Sequence, residues 1–135
     1  MLTKEYFNQH NQNMVGHLGI EFLEVSKTQI KAKMPVDDRT RQPYGLLHGG
    51  ASVALAETLG SVGAMVNTDV EKQYCVGLEI NANHIKAARD GYVYGTATPI
   101  HIGKKTHVWE IKIINDKEEL VCISRITVAV IDKKS

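Results

Sequence analysis

Between Arg41 and Asp69 the chain carries one formally charged side chain, Glu57. Its neighbours three and four positions away are Val53, Ala54, Gly60 and Ser61, a set with one polar group. On a helix these positions share its face. A carboxylate set among apolar groups is costly to ionise and tends toward a raised pKa, the usual tuning of a carboxylate base. An ordinary surface Glu would sit on a charged stripe, and this segment has none. Ser61, one turn on, can position the carboxylate or a water, or can simply be a small helix residue.

A second group lies upstream. His48, Gly49 and Gly50 join the polar loop 37–47, which contains Pro43 and Gly45, to the apolar run 49–66. The first N–H groups of a helix have no intrahelical partners and carry the positive end of its dipole. Glycine there lets a ligand approach the backbone closely. A substrate carbonyl gathering negative charge needs such a donor, with a side chain nearby to assist. The same residues also fit a plain helix start with a flexible Gly–Gly pair and a surface His.

The spacing of the two groups constrains how they can act. Gly49 and Glu57 are eight positions apart, about 12 Å of helical rise. An oxyanion donor and an attacking group must each come within roughly 3 Å of one carbonyl. If both serve one carbonyl, two chains with oppositely running helices supply them. Ala56, Gly60 and Ala64 permit close approach of another element, or only seat the helix on its own sheet.

Positioning these groups takes one helix and a sheet. The run 49–66 reads as a helix that is apolar nearly all round, hence enclosed. It approaches membrane length, but Glu57, Ser52, Thr58, Ser61 and its glycines favour a buried soluble helix. Upstream, the sequence predicts a short helix over 4–12 and strands over 18–26 and 28–36; Ile30, Ala32 and Met34 alternate with Gln29, Lys31 and Lys33. Downstream it predicts strands over 74–85, 92–102, 106–115 and 119–131. Turns at 89–91, 103–105 and 116–117 imply antiparallel pairing. The layout is an α+β domain spanning 1–135. One sheet covers one side of a helix, so either it curls around or a second subunit completes the cover.

Composition narrows the class. With 135 residues, 43% hydrophobic and 23% charged, the chain has the balance of one globular domain. A net charge of +1 and no basic run beyond Lys104–Lys105 and Lys133–Lys134 argue against a nucleic-acid partner. Cys75 and Cys122 match no zinc or redox spacing and read as core thiols of a reducing compartment. The polar stretch 1–13 lacks a secretory pattern, so a cytoplasmic protein is expected. No His pair has helical metal spacing; no metal or other cofactor is expected.

Gln42-Pro-Tyr-Gly-Leu-Leu-His-Gly-Gly-Ala-Ser, followed by Leu-Ala-Glu-Thr-Leu-Gly-Ser, resembles the hotdog-fold acyl-CoA thioesterases of the 4-hydroxybenzoyl-CoA thioesterase superfamily. The likeness is strongest to the group with the 1,4-dihydroxy-2-naphthoyl-CoA and enterobactin proofreading enzymes. It continues through Gly77-Leu-Glu-Ile-Asn-Ala-Asn-His84, Pro99-Ile-His-Ile-Gly-Lys-Lys105 and Trp109-Glu-Ile to the last strand. It implies a five- or six-stranded antiparallel sheet wrapping one long helix, and a homodimer or dimer of dimers, hence a homotetramer, with active sites between chains. It makes Glu57 the catalytic carboxylate, as nucleophile or general base, assisted by Ser61. Gln42, His48 and the Gly49 N–H of the facing chain would polarise the carbonyl, and His84 would line the acyl pocket.

Relatives often carry a second His where this chain has Ile85, which makes the acyl pocket more apolar. They carry Arg where it has Lys104, which keeps the charge but loses bidentate geometry. Lys86, Arg89, Lys104 and Lys105 are candidates for CoA phosphates, against a plain reading as solvated turn charge. The expected substrate is an acyl-CoA with an aromatic or medium-chain acyl group, 1,4-dihydroxy-2-naphthoyl-CoA among them, released as free acid and CoA. A non-catalytic acyl-CoA-binding protein and a hotdog dehydratase are the alternatives. The first has no use for a lone helix carboxylate; the second needs a His-Phe-Pro type motif that is absent.

Overall fold

The computed structural model describes residues 1–134. Six strands form one antiparallel sheet: β1 (Glu21–Val25), β2 (Ile30–Pro35), β3 (Gln73–His84), β4 (Tyr92–Ile102), β5 (Thr106–Ile114) and β6 (Leu120–Asp132). Their order across the sheet is β1-β2-β4-β5-β6-β3, so β3 crosses over to become an edge. The sheet curls around a single long helix, α3 (Gly49–Met65), which packs against β2, β3, β4, β5 and β6. This is the helix and antiparallel sheet that the sequence pattern predicts, in the hotdog arrangement that the resemblance implies, with six strands.

The sheet's period of two builds the core. On β5, His107, Trp109, Ile111 and Ile113 all point inward, while the residues between them are half-buried or exposed. Trp109, Ile111 and Ile113 join one core cluster with Leu55, Ala56 and Leu59 of α3, all fully buried, and Ile126 and Val128 of β6. Each such large side chain contributes roughly 1.5–3 kcal/mol by leaving water. The Trp109 indole lies flat against Gly63 of α3, which brings helix and sheet close together.

The N-terminal segment departs from expectation. The helix over 4–12 stops as α1 (Lys4–Gln9), where the His10 Nδ1–H and backbone N–H both donate to the Tyr6 carbonyl. A second helix, α2 (Met14–His17), begins where the Asn13 side chain accepts from the Val15 N–H at 2.9 Å. Gly19, at φ 75°, then turns the chain, and β1 starts at Glu21 instead of residue 18. Leu18 and Ile20 are buried as a strand's inward residues would be, but in the turn that joins α2 to β1. Asn8 holds the segment in place, its side chain bonding both the N–H and the C=O of Phe22.

His107 introduces a pH dependence of stability. It is 1% exposed, and burial, aided by the nearby His101, pushes its pKa below the ordinary 6.5. The unfolded chain therefore binds this proton first, and stability rises with pH across that interval. The contribution is complete above about pH 6.5 and declines as the pH falls through the lowered value. Melting temperatures taken from pH 7.5 to 5.5 should drop on acidification, and His107→Gln should flatten the slope. An equal slope in the variant would place the acid sensitivity in another residue.

Candidate active site

The loop before α3 sets up hydrogen-bond donors. Gln42 Oε1 accepts from the N–H groups of Tyr44 at 2.5 Å and Leu46 at 3.3 Å. With its oxygen engaged by the turn, the Gln42 amide keeps its Nε2 hydrogens as its donor end. His48 is the N-cap of α3, and its Nδ1 accepts from the Gly50 N–H at 2.7 Å. That bond leaves the neutral ring's proton on Nε2. The Gly49 N–H lies outside the helical ladder, among the first-turn donors. Each acceptor end is thus tied to local backbone, while each donor end remains available.

His84, at the end of β3, lies over this helix start: a Cβ added at Gly49 would stand 3.0 Å from its Nε2. Gln42, Gly49, Ser52, His84 and Lys86 line one cleft of about 300 Å³. The structure therefore brings together four of the expected site residues, Gln42, Gly49, His84 and Lys86, with exposed His48 beside them as the cap.

Glu57 and Ser61 lie elsewhere in the chain. They face a groove of about 570 Å³ between α3 and the α1–α2 segment. One wall is the α3 stripe through Gly50, Val53, Glu57, Ser61 and Met65; opposite stand Phe7, Met14, Leu18 and Phe22. Glu57 is half-buried, less enclosed than its apolar neighbours suggest. The reason is geometric: its face of α3 looks into the groove, while Leu55 and Leu59 take the sheet side. Its carboxylate rests over Gly77 of β3. The ion pairs among the described residues, Arg39–Asp37, Arg41–Asp38 and Lys86–Glu119, all lie away from it.

The four cations expected to meet phosphates do not form one patch. Lys86 is paired with Glu119 beside the His84 cleft. Arg89 is exposed in the following connection, its carbonyl accepting from the Arg41 guanidinium. Lys104 and Lys105 border a third cavity of about 560 Å³ with Asn67, Thr68 and His107, past the far end of α3. The α1–α2 wall of the groove went unread in the sequence. Its only signal is Phe7, Met14 and Val15 interrupting a polar stretch.

Among the described residues, no three His, Cys, Asp or Glu side chains gather as a metal site. No described helix is long and apolar enough to cross a membrane.

Comparisons with known proteins add to this geometry. The sequence profile described as thioesterase superfamily matches residues 44–122, the stretch holding His48, Glu57 and His84. The chain is 50% identical over 131 residues to the 1,4-dihydroxy-2-naphthoyl-CoA hydrolase of Escherichia coli, covering 96% of each. It is 47% identical over 117 residues to a proofreading thioesterase of Cronobacter turicensis, covering 87% of this chain and 85% of that one. Among solved structures, a mutant thioesterase from Pseudomonas aeruginosa superposes with a TM-score of 0.94 at 46% identity, covering 96% of this chain and 94% of the other.

Proposed function

The chain belongs to the thioesterase superfamily and is a thioester hydrolase, and we propose that it cleaves acyl-CoA at sites assembled from two copies of itself. The observation that carries the proposal is the separation of the two half-sites. In one chain Glu57 and Ser61 face the α3 groove, whereas Gln42, Gly49 and His84 line the helix-start cleft. About 12 Å of helix divides them, more than a Glu side chain spans. A second chain with its helix running oppositely past the first brings one chain's donors to the other's carboxylate.

The β3 edge supports such pairing. It is a twelve-residue strand with one unpaired side, and Tyr74, Val76 and Leu78 on it are exposed, Leu78 at 61%. Long apolar edges are liabilities unless covered. A homodimer, or a dimer of dimers as a homotetramer, accounts for it.

At the assembled site, the carbonyl oxygen would accept from the Gly49 N–H and from Gln42 Nε2, with His48 Nε2–H beside them. Glu57 of the facing chain would attack the carbonyl carbon or take a proton from an attacking water, and Ser61 would hold the water or the carboxylate. With Glu57 as base, the water oxygen forms the new C–O bond, the C–S bond breaks, and the CoA thiolate leaves and takes up the proton Glu57 received. With Glu57 as nucleophile, its oxygen displaces the thiolate to give an acyl anhydride, which water then cleaves to the free acid and regenerated Glu57. The chemistry calls for no metal or other cofactor. Lys86 and Arg89, or the Lys104–Lys105 pair, would meet the CoA phosphates, and His84 would border the acyl group.

The apolar groove suits an aromatic or medium-chain acyl group, and 1,4-dihydroxy-2-naphthoyl-CoA fits the Escherichia coli relative's activity. We place the enzyme in the cytoplasm as one domain over residues 1–135, with Cys75 and Cys122 as free thiols. Thiol release from 1,4-dihydroxy-2-naphthoyl-CoA, benzoyl-CoA and a series of fatty acyl-CoAs tests the proposal. Turnover should be fastest with aromatic or medium-chain groups. No release from any of them, or full activity in a monomer, would overturn it.

A further inference from the structure

The carboxylate of Glu57 needs a seat, and the structure gives it one made of backbone. Its Oε2 stands so close to Gly77 that a Cβ added there would lie 2.6 Å from it and 3.3 Å from the carboxyl carbon. The next nearest atom to that Cβ position is Ile126 Cδ1, at 3.6 Å, an ordinary contact. Gly77 sits where the β3–β6 register shifts, between Gly77 and Glu79, so the strand is bulged at this point. Bulges redirect backbone and side chains locally and recur beside active sites.

We infer that Gly77 is a positioning residue for the Glu57 carboxylate: its missing side chain sets how far the carboxylate settles toward β3. The inference rests on the catalytic role proposed for Glu57. Its physical basis is where the cost of a side chain would fall. Gly77 is exposed on an edge strand and its φ is not positive, so the backbone accepts alanine. The atom that must move is the far end of a flexible side chain, which costs the fold little. A shift on the order of 1 Å in a reacting group, however, can cost 10²-fold in rate.

The test is a double-mutant cycle on thiol release, with thermal unfolding read alongside. Gly77→Ala should lower kcat by about 10–10²-fold with KM and melting temperature nearly unchanged. Glu57→Asp shortens the side chain by one methylene and withdraws the carboxylate from β3. In that background Gly77→Ala should cost little further, because the contact is already gone. Equal fold-losses in the two backgrounds would overturn the inference, as would a Gly77→Ala protein that fails to fold. Loss of the underlying catalytic reading looks different: Glu57→Ala itself would then keep full activity, whatever Gly77 does.

Discussion

Glu57→Ala should reduce thiol release from acyl-CoA by about 10²–10⁴-fold, the usual worth of a positioned acid–base group, with the fold intact. The groove offers few substitutes. Thr58 Oγ1 donates to the Ala54 carbonyl at 2.7 Å and is engaged within the helix. Ser61 has a hydroxyl but no base beside it other than Glu57. The one further titratable group on the groove wall is His10, whose Nδ1–H donates to the Tyr6 carbonyl and whose Nε2 keeps its lone pair.

The experiment therefore pairs Glu57→Ala with Glu57→Gln and with His10→Ala. Gln keeps the volume and the polar contacts but neither attacks nor accepts a proton, so it should be nearly as slow as Ala. His10→Ala should leave kcat close to wild type. Full activity in Glu57→Ala, with loss in His10→Ala, would transfer the role to the histidine. Binding of a non-hydrolysable acyl-CoA analogue should survive in Glu57→Ala, since little of the expected contact area belongs to the carboxylate.

The parts of the molecule legible in the sequence are those specified by local pattern. From residue 73 on, a high content of Val, Ile, Thr and aromatic residues and short polar turns place four strands within one residue of their observed ends. The helix over 49–66 ends one residue earlier than predicted. Glu57 stood out because a charge inside an apolar run is costly wherever the run goes. What escaped depends on pairings between distant residues. The fold of 4–20 turns on Asn8 bonding Phe22 and on Asn13 capping α2; composition alone does not distinguish these asparagines from loop residues. Gly77 reads as one more residue of a strand, and its closeness to Glu57 appears only once β3 lies beside α3. The orientation of Gln42 and His48 is likewise a product of their contacts with the turn and the cap. The residue types there are plain from the chain, and the backbone decides which end of each side chain is engaged.

Two inactive variants should restore activity when mixed. Glu57→Ala removes the carboxylate, and Gln42→Ala removes a donor expected to be worth about 10²–10³-fold. If each site takes Glu57 from one chain and Gln42 from the other, a site is whole only when both contributing chains carry the needed residue. Co-refolding equal amounts gives about a quarter of the sites with both groups present, in a dimer or in a dimer of dimers alike. Activity should then recover to about a quarter of wild type, far above either parent. If one chain supplied both groups, every site would lack one of them, and mixing would restore nothing. The outcome is insensitive to how much either parent retains, because the expected gain exceeds the residual rate of both. The exposed β3 edge gives an independent handle on the same assembly. Placing Lys at Leu78, which is 61% exposed in the single chain, should weaken pairing and lower the specific activity as the enzyme is diluted, while leaving Glu57 and Gln42 untouched.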